Sequence, residues 1–233
     1  MNVVAVFFKS SLGKKYIMAL TGIGLFIFVV GHMLGNLQIF IGPESLNRYG
    51  AFLQGLGELL WVARIGLLVI VLLHIWSAVK LSAENKAARP VGYGNNKPFG
   101  STYASRTMLM SGLIIAAFII YHLLHFTIQA PVNGSGTNFV ELHDEKGRHD
   151  VYRMMILGFR VWYVSLFYII GMILLSLHLS HGVSAMFQSL GLRNRGWQPF
   201  IKGFARFIAI VLLVGYCSIP IAVLTGLVGG SVK

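Results

Sequence analysis

The sequence predicts an all-α fold, an integral membrane bundle of five transmembrane helices that forms one domain over residues 1–233. Composition gives the first indication, because 56% of the residues are hydrophobic and only 11% are charged, against about 25% charged in soluble domains. The second is the length of the apolar runs, since about 20 residues cross a bilayer as a helix. Such runs recur near 15–41, 60–82, 105–130, 157–189 and 203–229.

Each span follows from its own run and its boundaries. Lysines precede the first run, as in a signal peptide, but the run is too long and lacks a small-residue cleavage site, so we expect it to remain as a helix. Segments 42–59, 83–103 and 130–152 are expected to be loops because proline, glycine and asparagine interrupt the apolar pattern there. The fourth span is expected to continue past the membrane surface as an amphipathic tail over 184–192.

The fifth span contains the single cysteine, Cys217. One cysteine in an apolar run leaves no disulfide framework, no CxxC metal site and no thiolate ligation of an iron-sulfur cluster. We expect it to be a small buried packing residue.

The distribution of the basic residues predicts the orientation in the membrane. The net charge of +12 does not indicate a nucleic-acid partner, because the basic residues form short groups between apolar runs. Loops rich in lysine and arginine stay in the cytoplasm. One set of helix ends has twelve basic residues against the acid Glu84, and the other has seven against six acids. The twelve are Lys9, Lys14, Lys15, Lys80, Lys86, Arg89, Lys97, Arg106, Arg193, Arg195, Lys202 and Arg206. We therefore expect a cytoplasmic amino terminus and an outer carboxyl terminus.

Six of the eight histidines fall inside predicted spans. Polar side chains are costly in hydrocarbon and usually face a partner inside the bundle. The first four spans each carry at least one histidine and the fifth carries none, which is the distribution that two bis-histidine irons require. The six are His32, His74, His122, His125, His178 and His181, while His143 and His149 lie in the outer acidic loop.

Depth along the spans sorts four of these histidines into two layers. His32 lies 17 residues after Lys15 and His122 lies 16 after Arg106, or about 24–26 Å at the helical rise of 1.5 Å per residue. These two are predicted to form an outer layer. On the inward-running spans, His74 and His178 lie about 24–27 Å from the outer surface and are predicted to form an inner layer. His181 would fit the inner surface slightly better than His178.

Small residues close to these histidines would leave room for a flat porphyrin ring. Gly24, Gly31 and Gly35 flank His32, Ala78 follows His74 by one turn, and Gly171 and Gly182 flank His178. Glycine also serves ordinary helix packing in membranes, so structural polar contacts and a histidine-based transporter stay open as alternatives to haem. A transporter is less favoured, because no acidic residue lies in the middle of a span and no inverted repeat is visible.

Five segments together resemble a known family over nearly the whole chain. They are SSLGKKYIMALTG, HMLGNLQIF, LLHIWSAVKL, YHLLHF and LSLHLSHGVSAMFQSLG. In this order and spacing the chain is similar to the dihaem cytochrome b subunit of the succinate dehydrogenase and fumarate reductase family. The resemblance implies a single transmembrane cytochrome b domain.

The resemblance also implies two haem b groups and their axial ligands. His32 and His122 would ligate the iron of the outer haem, and His74 and His178 that of the inner haem. His125 and His181 each lie one helical turn from a proposed ligand and stay open as replacements, or as partners of a propionate or a quinone. Arg160 is the outer candidate for a propionate, and Lys15 and Arg106 are the inner candidates.

By the same resemblance, the chain would anchor succinate:quinone oxidoreductase in a prokaryotic cytoplasmic membrane. Its partners would be a flavoprotein subunit, an iron-sulfur subunit and a membrane quinone, with menaquinone expected. We expect no succinate chemistry on this chain itself, because it has neither a cysteine set nor a nucleotide-binding glycine motif. The alternatives are a cytochrome b subunit of another quinone-linked oxidoreductase and a non-haem histidine transporter.

Overall fold

The computed structural model describes residues 2–88, 103–230 and 232. This part of the chain is 79% helical and contains no strand beyond an isolated antiparallel bridge between His143 and His149. The predicted all-α fold is confirmed. Its helices are α1 (Val3–Lys9), α2 (Ser11–Asn36), α3 (Pro43–Gly55), α4 (Glu58–Ala87), α5 (Tyr103–Arg106), α6 (Met108–His122), α7 (Val151–Arg160), α8 (Trp162–Ser189) and α9 (Gln198–Leu224).

The prediction of five spans is also confirmed within the described residues. Five helical segments of 20 to 30 residues are long and apolar enough to cross a membrane. Two of them extend an α-helix by another turn, a 3₁₀ turn over Leu37–Phe40 after α2 and a π-helical turn over Leu123–Thr127 after α6. The spans are Ser11–Phe40, Glu58–Ala87, Met108–Thr127, Trp162–Ser189 and Gln198–Leu224. Large apolar side chains are exposed along them, as in a protein whose surface faces lipid.

The predicted loop over 42–59 is wrong, because α3 occupies most of it. Gly42 adopts a φ of 128° at the N-cap and Pro43 is the first helical residue, a position where the missing N–H of proline costs nothing. Glu44 adds a negative charge to the first turn, which the helix dipole favours. The proline that suggested a loop in fact begins a helix.

The predicted start of the fourth span is wrong by five residues. Helix α7 ends at Arg160, Val161 is extended, and the span itself begins at Trp162. The Asp150 side chain caps α7 by accepting a hydrogen bond from the backbone N–H of Arg153 at 2.9 Å. One face of this short helix is buried, so its apolar residues cover the protein interior and do not cross the membrane.

The predicted loop over 83–103 begins too early, because α4 continues to Ala87. Most of that loop, with Arg89 and Lys97, lies outside the described residues, as does Lys233.

The chain divides into two compact units, and the histidines divide with it. One unit comprises Met1–Phe28, Arg64–Leu113 and Leu177–Ala209, and the other comprises Val29–Ala63, Ile114–Ser176 and Ile210–Lys233. His74, His178 and His181 belong to the first unit. His32, His122 and His125 belong to the second. Cys217 is part of the buried hydrophobic cluster of this second unit, in agreement with the packing role expected for it.

Candidate functional site: two pairs of histidines

The first pair, called the outer pair, consists of His32 on α2 and His122 at the end of α6. Their ring centres lie 5.6 Å apart and their planes are nearly perpendicular, at 86°. Both side chains are half-buried, and the Phe118 ring stacks on His122 with 6.1 Å between the ring centres. The structure therefore brings together the two histidines that were predicted to share the outer layer.

The second pair, called the inner pair, consists of His74 on α4 and His178 on α8. Their ring centres lie 6.5 Å apart with an interplanar angle of 66°. These are the two histidines that were predicted to share the inner layer.

Both separations can be compared with two imidazoles bound on opposite sides of one metal. Metal–nitrogen bonds of about 2.0–2.1 Å, as in histidine-ligated metals, put the two ring centres roughly 6.3 Å apart. The inner pair is close to this value, and the outer pair is shorter by about 0.7 Å. The separation of the rings in each pair is therefore compatible with one metal atom between them.

Two histidines alone are a poor site for a bare metal ion. Structural zinc takes four protein ligands and catalytic zinc takes three, and no group of three or more His, Cys, Asp or Glu suited to a metal occurs in the described part of the chain. A haem iron needs only its axial ligands from the protein. The two-histidine arrangement thus fits haem better than it fits a free ion.

A hydroxyl group fixes the tautomer of His74. The Thr21 hydroxyl lies 3.1 Å from His74 Nδ1 and donates its own proton to the Ile17 carbonyl at 2.6 Å. Since that proton is committed, the hydroxyl accepts from the Nδ1–H of His74. The Nε2 lone pair of His74 is then left for a metal, and such outer hydrogen bonds are what orient metal-binding histidines.

His178 has a matching partner in Ser111. The Ser111 hydroxyl lies 3.3 Å from His178 Nδ1 and donates to the Met108 carbonyl at 3.1 Å. His178 therefore also presents Nε2, and both members of the inner pair have the same ligand-ready tautomer.

Glycines follow both hydroxyl residues and give the rings space. A Cβ at Gly22 would lie 3.6 Å from His74 Cε1, and a Cβ at Gly112 would lie 3.4 Å from His178 Cε1. The pattern repeats along the chain, since Thr21–Gly22 precedes His32 by 11 residues and Ser111–Gly112 precedes His122 by 11.

The glycines named from the sequence lie elsewhere. A Cβ at Gly24, Gly35 or Gly171 would meet Ile70, Tyr49 or Phe118 respectively, and one at Gly182 would approach only Met108. These four therefore serve helix packing. Gly31 has open space where its Cβ would be.

Tyrosines surround the outer pair. The hydroxyl of Tyr168 on α8 lies 3.3 Å from His122 Nδ1. The ring of Tyr216 on α9 lies 6.3 Å from that of His32, and its hydroxyl donates to the Val29 carbonyl at 2.7 Å. Sequence reasoning missed both residues, together with Thr21 and Ser111.

Neither alternative histidine is part of a pair in the structure. His125 is fully buried, with its Nδ1 at 2.9 Å from the Tyr168 hydroxyl and its ring stacked on Phe126 at 3.9 Å. His181 is half-buried, one turn beyond His178 on α8.

The three candidates for propionate binding lie at helix ends. Arg160 donates to the Gly229 carbonyl at 2.7 Å, while Lys15 and Arg106 are exposed. The structure instead buries Lys14, which forms an ion pair with Glu84 at 2.5 Å and donates to the Lys9 carbonyl at 2.8 Å. Sequence reasoning named Lys15 as a candidate and counted Lys14 only among the basic residues that indicate topology.

Charged residues tie the outer loop to α3. Glu44 accepts from Arg148 at 2.7 Å and from Lys146 at 3.0 Å, and Asp144 also pairs with Arg148. These hydrogen bonds lower the pKa of Glu44 to about 2 and that of Asp144 to about 2, and they raise the pKa of Arg148. Nearby, burial lowers the pKa of His149.

A shallow cavity of about 320 Å³, open to the surface and lined in part by exposed side chains, lies beside α3 in the second unit. It combines polar groups with an aromatic wall and is lined by Gln38, Ser45, Arg48, Tyr49 and Phe52.

Compared with protein-family models, with curated proteins and with solved structures, the chain gives no match.

Proposed function

We propose that the chain is a dihaem cytochrome b of a membrane-bound oxidoreductase, with His32 and His122 holding one haem b and His74 and His178 the other. The observation that carries the proposal is the geometry of the two pairs. In each, two different helices bring one histidine apiece to a separation that suits a metal between two imidazoles.

The surroundings of the pairs support haem over a purely structural role. The Nδ1 atoms of His74 and His178 each lie within hydrogen-bond distance of a hydroxyl group. Each hydroxyl donates its own proton to a carbonyl of its helix. That arrangement leaves Nε2 bare on both rings and directs it away from the bonded side.

The finer proposal is that the chain anchors succinate:quinone oxidoreductase. Its support is the resemblance of five sequence segments and the excess of basic residues at one set of helix ends, which suits an acidic partner at that surface. When bound, the two haems supply one-electron transfer between an iron-sulfur subunit and a membrane quinone. The iron-sulfur subunit would exchange electrons with a flavoprotein subunit, and we propose menaquinone as the quinone.

The cavity lined by Gln38, Arg48 and Phe52 is our candidate for the quinone ring. It belongs to the same unit as the outer pair. A quinone presents two carbonyl acceptors on a flat apolar ring, and ligand sites of this kind combine an apolar wall with a few polar groups that fix orientation.

Purification of the full chain in mild detergent tests the proposal. We expect a pyridine haemochrome assay to give two haems per chain and the reduced-minus-oxidised spectrum to show two b-type components. The double variant His74→Ala, His178→Ala should keep one haem and serves as the matched control. A folded chain without haem would overturn the proposal, and a nickel- or molybdenum-containing partner in place of a succinate-oxidising flavoprotein would reassign it to another oxidoreductase.

A further inference from the structure

His125 is a buried imidazole that belongs to neither pair. It is 0% exposed, and its Nε2 has no hydrogen-bond partner among the described residues. Leaving a buried polar atom unpaired is unfavourable. The other ring nitrogen, Nδ1, lies 2.9 Å from the Tyr168 hydroxyl. This hydrogen bond is the feature that links His125 to the outer pair.

The Tyr168 hydroxyl lies between two histidines. It is 3.3 Å from His122 Nδ1 and 2.9 Å from His125 Nδ1, and a phenol has one proton to donate. If His122 binds iron through Nε2, its proton is on Nδ1 and is donated to the Tyr168 oxygen. Tyr168 then donates its own proton to His125 Nδ1, and His125 carries its proton on Nε2, the atom that a ligand needs bare.

The backbone commits His125 to this position. In a regular α-helix, residues three apart share a face, but the π-helical turn over Leu123–Thr127 begins directly after His122 and closes with a 2.7 Å bond from Ile128 N–H to the Leu123 carbonyl. Single π-turns occur often at functional sites. Gly158 leaves room for the ring, since a Cβ there would lie 3.0 Å from His125 Nε2.

We propose that His125 is a positioning residue that acts on the outer haem through Tyr168. By accepting the Tyr168 proton it makes the phenol oxygen a stronger acceptor for the Nδ1–H of His122, because linked hydrogen bonds polarise one another. His122 becomes a stronger donor to iron, as outer hydrogen bonds do for metal-bound histidine. The inference rests on the proposed haem-binding function.

In the inner pair the corresponding chains end on backbone carbonyls. Thr21 and Ser111 pass their protons to carbonyls of their own helices, so no second imidazole reinforces them. A stronger donor stabilises ferric iron. We therefore expect that breaking the chain from His125 to His122 raises the midpoint potential of the outer haem and leaves that of the inner haem unchanged.

Redox titration followed by electron paramagnetic resonance tests this selectivity. Tyr168→Phe and His125→Leu break the chain, whereas His125→Asn keeps an acceptor near the Nδ1 position and has no atom at Nε2. We expect two haems in all three, a higher outer potential in Tyr168→Phe and His125→Leu, and a potential close to that of the unaltered protein in His125→Asn. The inner potential should stay constant and reports on folding.

Tyr121→Phe is the matched control. It removes a phenol from the same aromatic cluster, but that hydroxyl donates to the Val132 carbonyl at 3.2 Å. Loss of the outer low-spin signal in both His125 variants would make His125 the ligand and overturn the inference, as would an unchanged outer potential in Tyr168→Phe. Absence of haem from the unaltered protein would instead show that the proposed function itself fails.

Discussion

Thr21 has two hydrogen-bonding tasks that depend on one hydroxyl group. It donates to its own helix and accepts from His74 Nδ1 on another. Thr21→Val keeps the shape and removes the hydroxyl acceptor of the half-buried His74 side chain, and a hydrogen bond of this kind contributes about 0.5–1.5 kcal/mol. We expect weaker retention of the inner haem and a broadened inner low-spin signal, measured by haem content and electron paramagnetic resonance.

Thr21→Ser is the control for this prediction, because it retains the hydroxyl and should keep the inner haem. The outer signal should not change in either variant. Equal haem retention and identical spectra in Thr21→Val would show that the hydroxyl does not orient His74.

The sequence predicted the four paired histidines but not their hydrogen-bond partners. Counting residues from a basic marker gives the depth of a side chain in its span, and depth was enough to sort His32 with His122. Rotation of each helix about its axis decides which neighbour a side chain meets. Thr21 and His74 are 53 residues apart, and Ser111 and His178 are 67 apart, so no local pattern brings them together.

At the scale of elements, α3 and the outer loop are held together by a charged cluster consisting of Glu44, Asp144, Lys146 and Arg148. The pKa of Glu44 falls from 4.5 to about 2 when the cluster forms, and that of Asp144 falls from 3.8 to about 2. A lowered carboxyl pKa stabilises the docked loop fully above the ordinary pKa, and this stabilisation is lost as pH falls toward the lowered value.

We expect the outer loop to loosen from α3 between about pH 4.5 and pH 2. Hydrogen exchange of residues 144–150 in detergent, compared at pH 6 and pH 3 after correction for the intrinsic rate, measures the loosening. Glu44→Gln should exchange faster at pH 6 and respond less to acid. The effect should shrink in high salt, because Glu44 is 55% exposed and exposed pairs are screened. Exchange that does not depend on pH would contradict the prediction.

Elements that cross the membrane were predictable and those that lie beside it were not. A span of 20 or more apolar residues leaves a signal in composition alone. Helix α3 has a mixed polar and apolar composition and begins with Pro43, a residue type that is also common in loops. Helix α7 follows Asp150, which caps it but is likewise a residue type common in loops. Both helices are stabilised by burying one face against the rest of their unit, which a hydropathy pattern does not register.

For the whole molecule, the basic residues predict which ends of the spans face the cytoplasm. In a Cys217→Ala background, a single cysteine at exposed Lys146 should react with a membrane-impermeant maleimide added to intact cells. A cysteine at exposed Lys202 should react only after permeabilisation. The opposite labelling pattern would show that the chain has the opposite orientation in the membrane. Equal labelling of both sites in intact cells would contradict the five-span arrangement. Buried Cys217 is replaced so that each variant has one reactive thiol.

The division into two compact units makes a prediction about the pairs themselves. Each pair lies within one unit and has its own hydrogen-bond partners. A bis-histidine iron leaves its low-spin state when either axial ligand is lost. We therefore expect His32→Ala and His122→Ala to abolish the same spectroscopic component and His74→Ala and His178→Ala to abolish the other. Low-temperature optical spectra and electron paramagnetic resonance of the four variants, with His181→Ala as a control that should keep both components, provide the measurement. Matching losses for His32→Ala and His74→Ala would refute the pairing, since these two histidines belong to different units.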